Sequence, residues 1–396
     1  GVGYFLNTTG GIITVNLPVG AAGSSVALAD YAATWQTNNV TVSPNGSEKI
    51  GGIAGDITLS TEGQSVTFVY IDGTQGWVNV LDSTSNVRAS EFMVATGGTP
   101  CAGVACGDYK IHTFTGPGTF CVSAAGASAP VNIVDYVVVG GGGGGSGNHG
   151  GGGGGGFRFY ATTPVNPQTG PAVPINNYGA SPNTEITVTA TGYPITVGAG
   201  GVASCLPYPG PGAGARGVSS VFSTVTSTGG GGGSNGPTVA PESPGGSGGG
   251  GGNQPSSTGG LGNTPPVSPA QGTAGGAGIS VPGVCNIGGG GGGAIVAGTA
   301  GTSPYNGGIG GAGGGLTGFG TTGQPSGGQY YFSGGAGANT QPGRPAYGGG
   351  GLGGGGASTG ASTGGAGTVN TGGAGAGGGC GGTGGSGIVI IRYKFQ

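Results

Sequence analysis

Residues 135–156 read Asp135-Tyr-Val-Val-Val-Gly-Gly-Gly-Gly-Gly-Gly-Ser-Gly-Asn-His-Gly-Gly-Gly-Gly-Gly-Gly-Gly156. An apolar run passes directly into six glycines, turns through Ser146 to His149, and returns through seven more. An α-helix is excluded, because each interior glycine costs it about 1 kcal/mol relative to alanine. Strand alternation is equally absent where no residue has a side chain. A left-handed extended helix of the polyproline II type does fit. It has about three residues per turn, a rise of about 3.1 Å and no internal hydrogen bonds, so its N–H and C=O groups must pair with neighbours. Enclosed on every side, such a helix needs glycine at all three positions of the turn; at an edge it accepts one side chain per turn.

The same reading extends outward over residues 140–387, where 92 of 248 residues are glycine, against 20 in the first 139. Further blocks lie at 229–233, 248–252, 288–293, 348–351, 353–356, 377–379 and 381–382. The edge pattern is present too. Residues 307–315 place Ile309 and Ala312 on one face, and 378–386 place Cys380, Thr383 and Ser386 on one face. So much glycine and proline ordinarily signals disorder. A net charge of −3 and a mean hydropathy of +0.08 argue otherwise, since self-repulsion cannot hold the chain open. Its backbone groups must find partners inside the fold.

Strong strands flank the glycine region. Val131–Val139 runs into it and Ile388–Phe395 leaves it, so the two are expected to pair and clamp its ends. Tyr109–Thr115 and Thr119–Val122 flank a Gly-Pro-Gly turn. In residues 1–100, alternating runs at 11–17, 64–71 and 76–81 predict antiparallel strands, with turns at Asn45-Gly46 and Asp72-Gly73 and with Trp35 and Trp77 as core anchors. The expected fold class is therefore all-β plus a polyglycine II helical bundle, essentially without α-helix. Residues 1–100 form a small antiparallel β domain, 101–139 are strands leading into the glycine-rich domain, 140–387 are the bundle with its surface loops, and 388–396 are the closing strand.

Little of the sequence points to chemistry. No stretch of 18 apolar residues predicts a transmembrane helix, no signal-like segment opens at Gly1, and eight scattered Lys and Arg make no nucleic-acid-binding patch. The many G-x-G-x-x-G matches follow from glycine abundance, and none opens a helix in a βαβ unit. His112 and His149 lie in no catalytic motif, so no catalytic residue and no cofactor is expected. Asp30, Asp56, Asp72 and Asp82 read as turn and surface residues. Cys101, Cys106, His112 and Cys121 match no standard zinc spacing, so no metal site is assigned. Six cysteines, an even count, suit disulfides. Cys101 with Cys106 and Cys205 with Cys285 are candidate pairs, with connectivity left open. The candidate recognition surface is aromatic: Tyr305, Phe319, Tyr330, Tyr331, Phe332 and Tyr347, with Arg344 among them. The alternative role for these side chains is to cover the bundle ends.

The elements Tyr109-Lys-Ile-His-Thr-Phe-Thr-Gly-Pro-Gly-Thr-Phe120, Asp135-Tyr-Val-Val-Val-Gly-Gly-Gly142, Ile195-Thr-Val-Gly-Ala-Gly-Gly201 and Gly385-Ser-Gly-Ile-Val-Ile-Ile-Arg-Tyr393 appear in this order. Together they resemble the glycine-rich domain of bacteriophage tail-fibre and adhesin proteins of the polyglycine II sandwich type, over about residues 109–394. Residues 1–100 are similar to a β module of marine phage structural proteins. The resemblance implies an extracellular virion-surface protein, commonly trimeric, whose N-terminal module attaches it to other virion proteins or oligomerises it. Its loops would recognise a host receptor, an outer-membrane protein or a polysaccharide. The alternative is a purely structural capsid decoration or extracellular filament subunit. The proline- and asparagine-rich insert at 157–194 departs from the family's pattern.

Overall fold

The computed structural model describes residues 1–83, 92–126, 129–147, 149–162, 185–205, 212–236, 243–252, 257–281, 285–302, 304–340, 347–360 and 363–396. Among these there is no α-helix. The chain divides into two compact units, Gly1–Ala89 and Ser90–Gln396.

The first unit contains Val2–Leu6 (β1), Ile13–Asn16 (β2), Ser25–Asp30 (β3), Val40–Ser43 (β4), Ile57–Leu59 (β5), Ser65–Asp72 (β6) and Gly76–Ser83 (β7). They make a four-stranded sheet in the order β1-β3-β6-β7 and a three-stranded sheet in the order β2-β4-β5. The antiparallel expectation holds except at two edges, where β1 pairs with β3 and β2 with β4 in parallel. The chain alternates between the sheets at this point, so each edge strand is reached by a crossover and not a hairpin. Trp35 and Trp77 are fully buried at the centre. The Trp77 indole N–H donates to Glu48 Oε2 at 3.1 Å. Asp30 corrects its surface assignment. It is buried, and its carboxylate accepts the backbone N–H groups of Thr34, Trp35 and Gly63. At the hairpin, Asp72 Oδ1 accepts the N–H groups of Thr74 and Gln75, and Gly76, not Gly73, takes the positive φ of 70°.

The second unit begins earlier than residue 100. Met93–Thr96 (β8) already pairs with a strand of this unit. There follow Val104–Cys106 (β9), Tyr109–Phe114 (β10), Gly118–Ala125 (β11), Ile133–Val139 (β12), Phe157–Tyr160 (β13), Ile186–Thr187 (β14), Gly192–Thr196 (β15), Ser220–Phe222 (β16) and Val225–Ser227 (β17). The later strands are Ile279–Val281 (β18), Cys285–Ile287 (β19), Gly314–Leu316 (β20), Gln324–Ser326 (β21), Gln329–Phe332 (β22) and Ile388–Lys394 (β23). One sheet runs β13-β12-β23-β10-β9, with β14 beside β12; a second runs β17-β16-β15-β11-β8. As the flanking strands predicted, β12 and β23 pair antiparallel, from Asp135↔Arg392 to Val139↔Ile388. Both read as near-continuous apolar runs, interrupted by Asp135 in one and by Arg392 and Lys394 in the other, because both of their faces are covered. Tyr136, Val138, Val389 and Tyr393 pack with Phe120 and Phe222 on one face; Val137, Val139, Ile388 and Ile390 pack with Phe157, Phe319 and Phe332 on the other.

Beyond Val139 the backbone pairs differently. Gly140, Gly143 and Ser146 donate to the carbonyls of Gly156, Gly153 and Gly150. Gly141 and Gly144 donate to Val218 and Ala215, and Gly142 and Gly145 to Gly385 and Gly382. The carbonyls complete the set: those of Gly141 and Gly144 accept from Gly230 and Gly233, those of Gly142 and Gly145 from Gly201 and Ser204, and those of Gly143 and Ser146 from Gly375 and Gly378. The partner segment thus recurs every third residue. One segment is held by three neighbours as donor and by three others as acceptor. The block 288–293 repeats the pattern, with Gly289 and Gly292 donating to Gly251 and Gly248, and Gly288 and Gly291 to Asn339 and Ala336. At the array's margin Ile309 and Thr383 are exposed, whereas Ala312, Cys380 and Ser386, assigned to the same faces, are half-buried. One departure is that Ala336, Ala338, Ala374 and Ala376 are fully buried, so some enclosed positions accommodate a methyl group.

Close approach explains the glycine blocks. A Cβ on Gly143 would lie 2.1 Å from the carbonyl oxygen of Gly231, whereas one on the exposed Gly349 would meet nothing within 4 Å. Gly143→Ala should therefore destabilise the second unit by about 3 kcal/mol, while Gly349→Ala should be neutral or stabilising by up to about 1 kcal/mol. Paired thermal and chemical denaturation of the two variants reads this directly, and equal Tm values would contradict the packing.

Candidate functional site

The array has two ends. At one, residues 139–140, 156–157, 219–220, 227–228 and 387–388 join it to the sheets. The other carries the His149 turn, the β18–β19 hairpin (which pairs Ile279 with Ile287), the Thr302–Asn306 bridge and the turn at 378–380.

The candidate recognition residues divide between these ends. Phe319, Tyr331 and Phe332 are buried at the sheet end, and Tyr330 packs half-buried beside them. Strand β22 lies between β20 and β21, so its aromatic side chains cover the sheet face and not a free loop. Tyr305 and Tyr347 are half-buried at the opposite end, where Tyr347 lies against Gly360. Arg344 lies outside the described residues.

At the sheet end sits an ion pair that the candidate residues did not include. Arg392 and Asp135 are direct cross-strand partners, both nearly inaccessible. Arg392 Nε donates to Asp135 Oδ2 at 3.0 Å, Nη1 donates to the Gly318 carbonyl at 3.0 Å, and Nη2 also pairs with the carboxylate. Thr162 donates its N–H and its hydroxyl to Asp135 Oδ1. The guanidinium lies 4.5 Å from the Tyr109 ring centroid and 4.8 Å from that of Phe319. A single acid in one apolar strand and a single arginine in the other were the available signal. With each guanidinium nitrogen and each carboxylate oxygen hydrogen-bonded, the pair is built to hold strands in register and has no open face for a substrate.

Both histidines are buried. Nδ1 of His112 lies 2.7 Å from the Gly97 carbonyl, and its ring stacks on Tyr393 with centroids 5.6 Å apart. Burial lowers its pKa, opposed by the hydrogen bond to Gly97. His149 occupies the left-handed region at φ 83°, its carbonyl accepts from Asn339, and its Nδ1 has no hydrogen-bond partner. Burial pushes its pKa down to about 4. Among the described residues no group of three or more His, Cys, Asp or Glu side chains is gathered closely enough to hold a metal ion.

The cysteine pairing differs from both candidates. Cys205 is bonded to Cys380, and Cys101 and Cys106 are free and exposed. The Gly381 N–H donates to the Ser204 carbonyl at 2.8 Å, so adjacent segments bring these two thiols together at the array's end. They are 175 residues apart in sequence, which spacing rules do not reach. The side chain of Cys285 lies outside the described residues. In the first unit, an uncharged groove of about 640 Å³ lies between β1 and β2, lined by Val2, Tyr4, Ile13, Val15, Asn16 and Trp77.

A glycine-rich domain family matches residues 115–394. The chain belongs to this glycine-rich domain family. The match spans β11 to β23, so it takes in the array, both clamping strands and the Asp135–Arg392 pair, and leaves the first unit outside. A search of curated proteins gives no match.

Two outcomes test this arrangement. Asp135→Asn removes one buried partner and should cost about 3–5 kcal/mol, read by urea denaturation. For His149, the unfolded chain takes up a proton near pH 6.5 and the folded chain only near pH 4. Stability contributed by neutral His149 is therefore complete above about pH 6.5 and is lost progressively towards pH 4, by about 3 kcal/mol in all. His149→Asn, which keeps a residue tolerant of positive φ, should flatten that dependence in denaturation curves taken at pH 7.5 and pH 4.5.

Proposed function

We propose that the chain is a virion structural protein, a tail fibre or adhesin on the extracellular virion surface that presents loops for host recognition, and that it is not an enzyme. Its segments are read as polyglycine II helices, which the return of each hydrogen-bond partner at every third residue supports. The observation that carries the functional reading is the asymmetry of the array. One end is sealed by buried aromatic rings and a buried ion pair, while the other ends in turns and hairpins of unequal length. A rigid scaffold bearing variable loops is the arrangement on which recognition surfaces are built. The receptor-facing residues would then be Tyr305 and Tyr347, with Arg344, at the loop-bearing end. Partners of this reading are other virion proteins at the first unit, further copies in a homo-oligomer such as a trimer, and an outer-membrane protein or polysaccharide of the host.

Burial of Phe319, Tyr331 and Phe332 favours a second reading, a capsid decoration or filament subunit without a ligand, because those rings act as covering and not as contacts. Labelled full-length chain incubated with whole cells of cultured marine bacteria separates the two. Saturable binding to some strains, weakened at least about tenfold by Tyr305→Ala with Tyr347→Ala, is the expected outcome, since removing paired aromatic anchors costs more than about 1.4 kcal/mol. No binding to any strain, or binding unaffected by the double substitution, overturns the placement of the receptor surface.

A further inference from the structure

In the first unit, β1 and β2 are edge strands of the two sheets, and among the described residues each pairs with one strand, β3 and β4 respectively. The Leu6 carbonyl accepts from Tyr31, and Ile13 and Leu17 donate to Asn39 and Ser43. Backbone groups of alternate residues turn to opposite sides, so Gly3 and Phe5 in β1, and Thr14 and Asn16 in β2, turn theirs to the free side. The far edge of the larger sheet is closed at Trp77, whose N–H donates to Lys49 and whose carbonyl accepts from Gly51. Between β1 and β2 lies the groove of about 640 Å³, a volume within the range of binding pockets. Val2 and Tyr4 share the core face of their sheet with their partners Val26 and Leu28. Yet they are 53% and 49% exposed, against 4% and 1% for those partners. Ile13 and Val15 are only half-buried beside the same core. The core is thus left uncovered on the β1–β2 side, and no Asp, Glu, Lys or Arg side chain lines the opening.

We infer that the groove is a strand-acceptor site, in which an extended, uncharged segment of another protein pairs with the free edge of β1. Its alternate side chains, apolar, cover Val2, Tyr4, Ile13 and Val15. The free backbone groups identify the occupant. A small apolar molecule would cover the side chains and leave the N–H and C=O groups of Gly3 and Phe5 unpaired, whereas an added strand covers both. Two-residue alternation is required, because only every second side chain of that strand points into the groove. A charge on one of those side chains would be buried opposite no counter-ion. The inference deepens the proposed attachment of the first unit to other virion proteins. It is read with purified chain and peptide, so its failure is distinct from a failure of host-cell binding.

Full-length chain is titrated against a dye-labelled, end-capped peptide, Thr-Val-Thr-Val-Thr-Val-Thr, and binding is read by fluorescence anisotropy. The controls are the block peptide Thr-Thr-Thr-Thr-Val-Val-Val and the alternating peptide methylated at every backbone nitrogen. Saturable binding of the alternating peptide is expected, with neither control bound. Gly3→Pro removes a free-side N–H while sparing the β1–β3 bonds and every lining side chain, as edge strands allow. It should weaken binding by at least about tenfold, since a buried peptide carbonyl loses its donor. Gly3→Ala keeps the N–H, and its Cβ would come no nearer than 4.0 Å to that of Ala27, so it should bind as the parent does. Absence of saturable binding, or equal binding of either control, overturns the inference. So does undiminished binding by Gly3→Pro, which would mark a pocket for small apolar groups, or self-association of the chain that displaces the peptide, which would assign the groove to a second copy.

Discussion

The constraint on which the second unit depends is that an extended glycine segment cannot satisfy its own backbone. Every N–H and C=O must be met by another segment, and buried groups left unmet cost on the order of 1–3 kcal/mol each. The segment 140–147 shows how this is met, with its successive donors and acceptors turning to different neighbours and returning every third residue. Bonding on all sides draws the segments so close that a Cβ at most enclosed positions would collide with a carbonyl. Glycine content is thus a consequence of hydrogen-bond geometry and not of flexibility. Scarcity of charge has the same origin, since an array enclosed on all sides has little place for an ion.

Among the described residues the array has no hydrophobic interior beyond a small cluster of Ala336, Ala374 and Ala376, so its stability is anchored elsewhere. Its entry strand β12 and exit strand β23 pair side by side in a sheet buried on both faces, and Asp135 and Arg392 fix the register of that pairing. A one-residue slip would place Arg392 opposite an apolar residue and leave two buried charges unmet. The aromatic rings of β13 and β22 cover one face of this sheet, and those of β11 and β16 the other. At the opposite end the Cys205–Cys380 bond closes a 175-residue separation between adjacent segments. The buried anchor and the turns and hairpins thus lie at opposite ends of the array.

Much of this was legible in the sequence. Unbroken blocks such as 140–145 and 288–293 occupy enclosed positions, and Ile309 and Thr383 face outward where a three-residue repeat puts them. The pairing of the flanking strands followed from two apolar runs bracketing the glycine. The candidate site was much less legible. Phe319, Tyr331 and Phe332 read as a loop cluster because periodicity cannot register that Gly314–Leu316 and Gln324–Ser326 would pair on either side of β22. Cys380 was recognised as an outward-facing position, but its partner depended on which segment lies beside it. Asp30 read as a turn residue because three backbone donors converging from residues 34, 35 and 63 leave no mark in a local pattern.

The sequence by itself determined an all-β fold without α-helix, the enclosure of the unbroken glycine blocks and the two strands that close the array. These follow from local sterics, because the absence of a Cβ and the spacing of the remaining ones are properties of the chain alone. Only the tertiary structure decided which segments are neighbours, and hence which cysteines are joined, which aromatic rings are buried and that Asp135 meets Arg392. Glycine segments are chemically alike, so no side chain encodes their order in the array. That order is set by the connections between them and by the sheets at one end, and it exists only once the whole unit has closed.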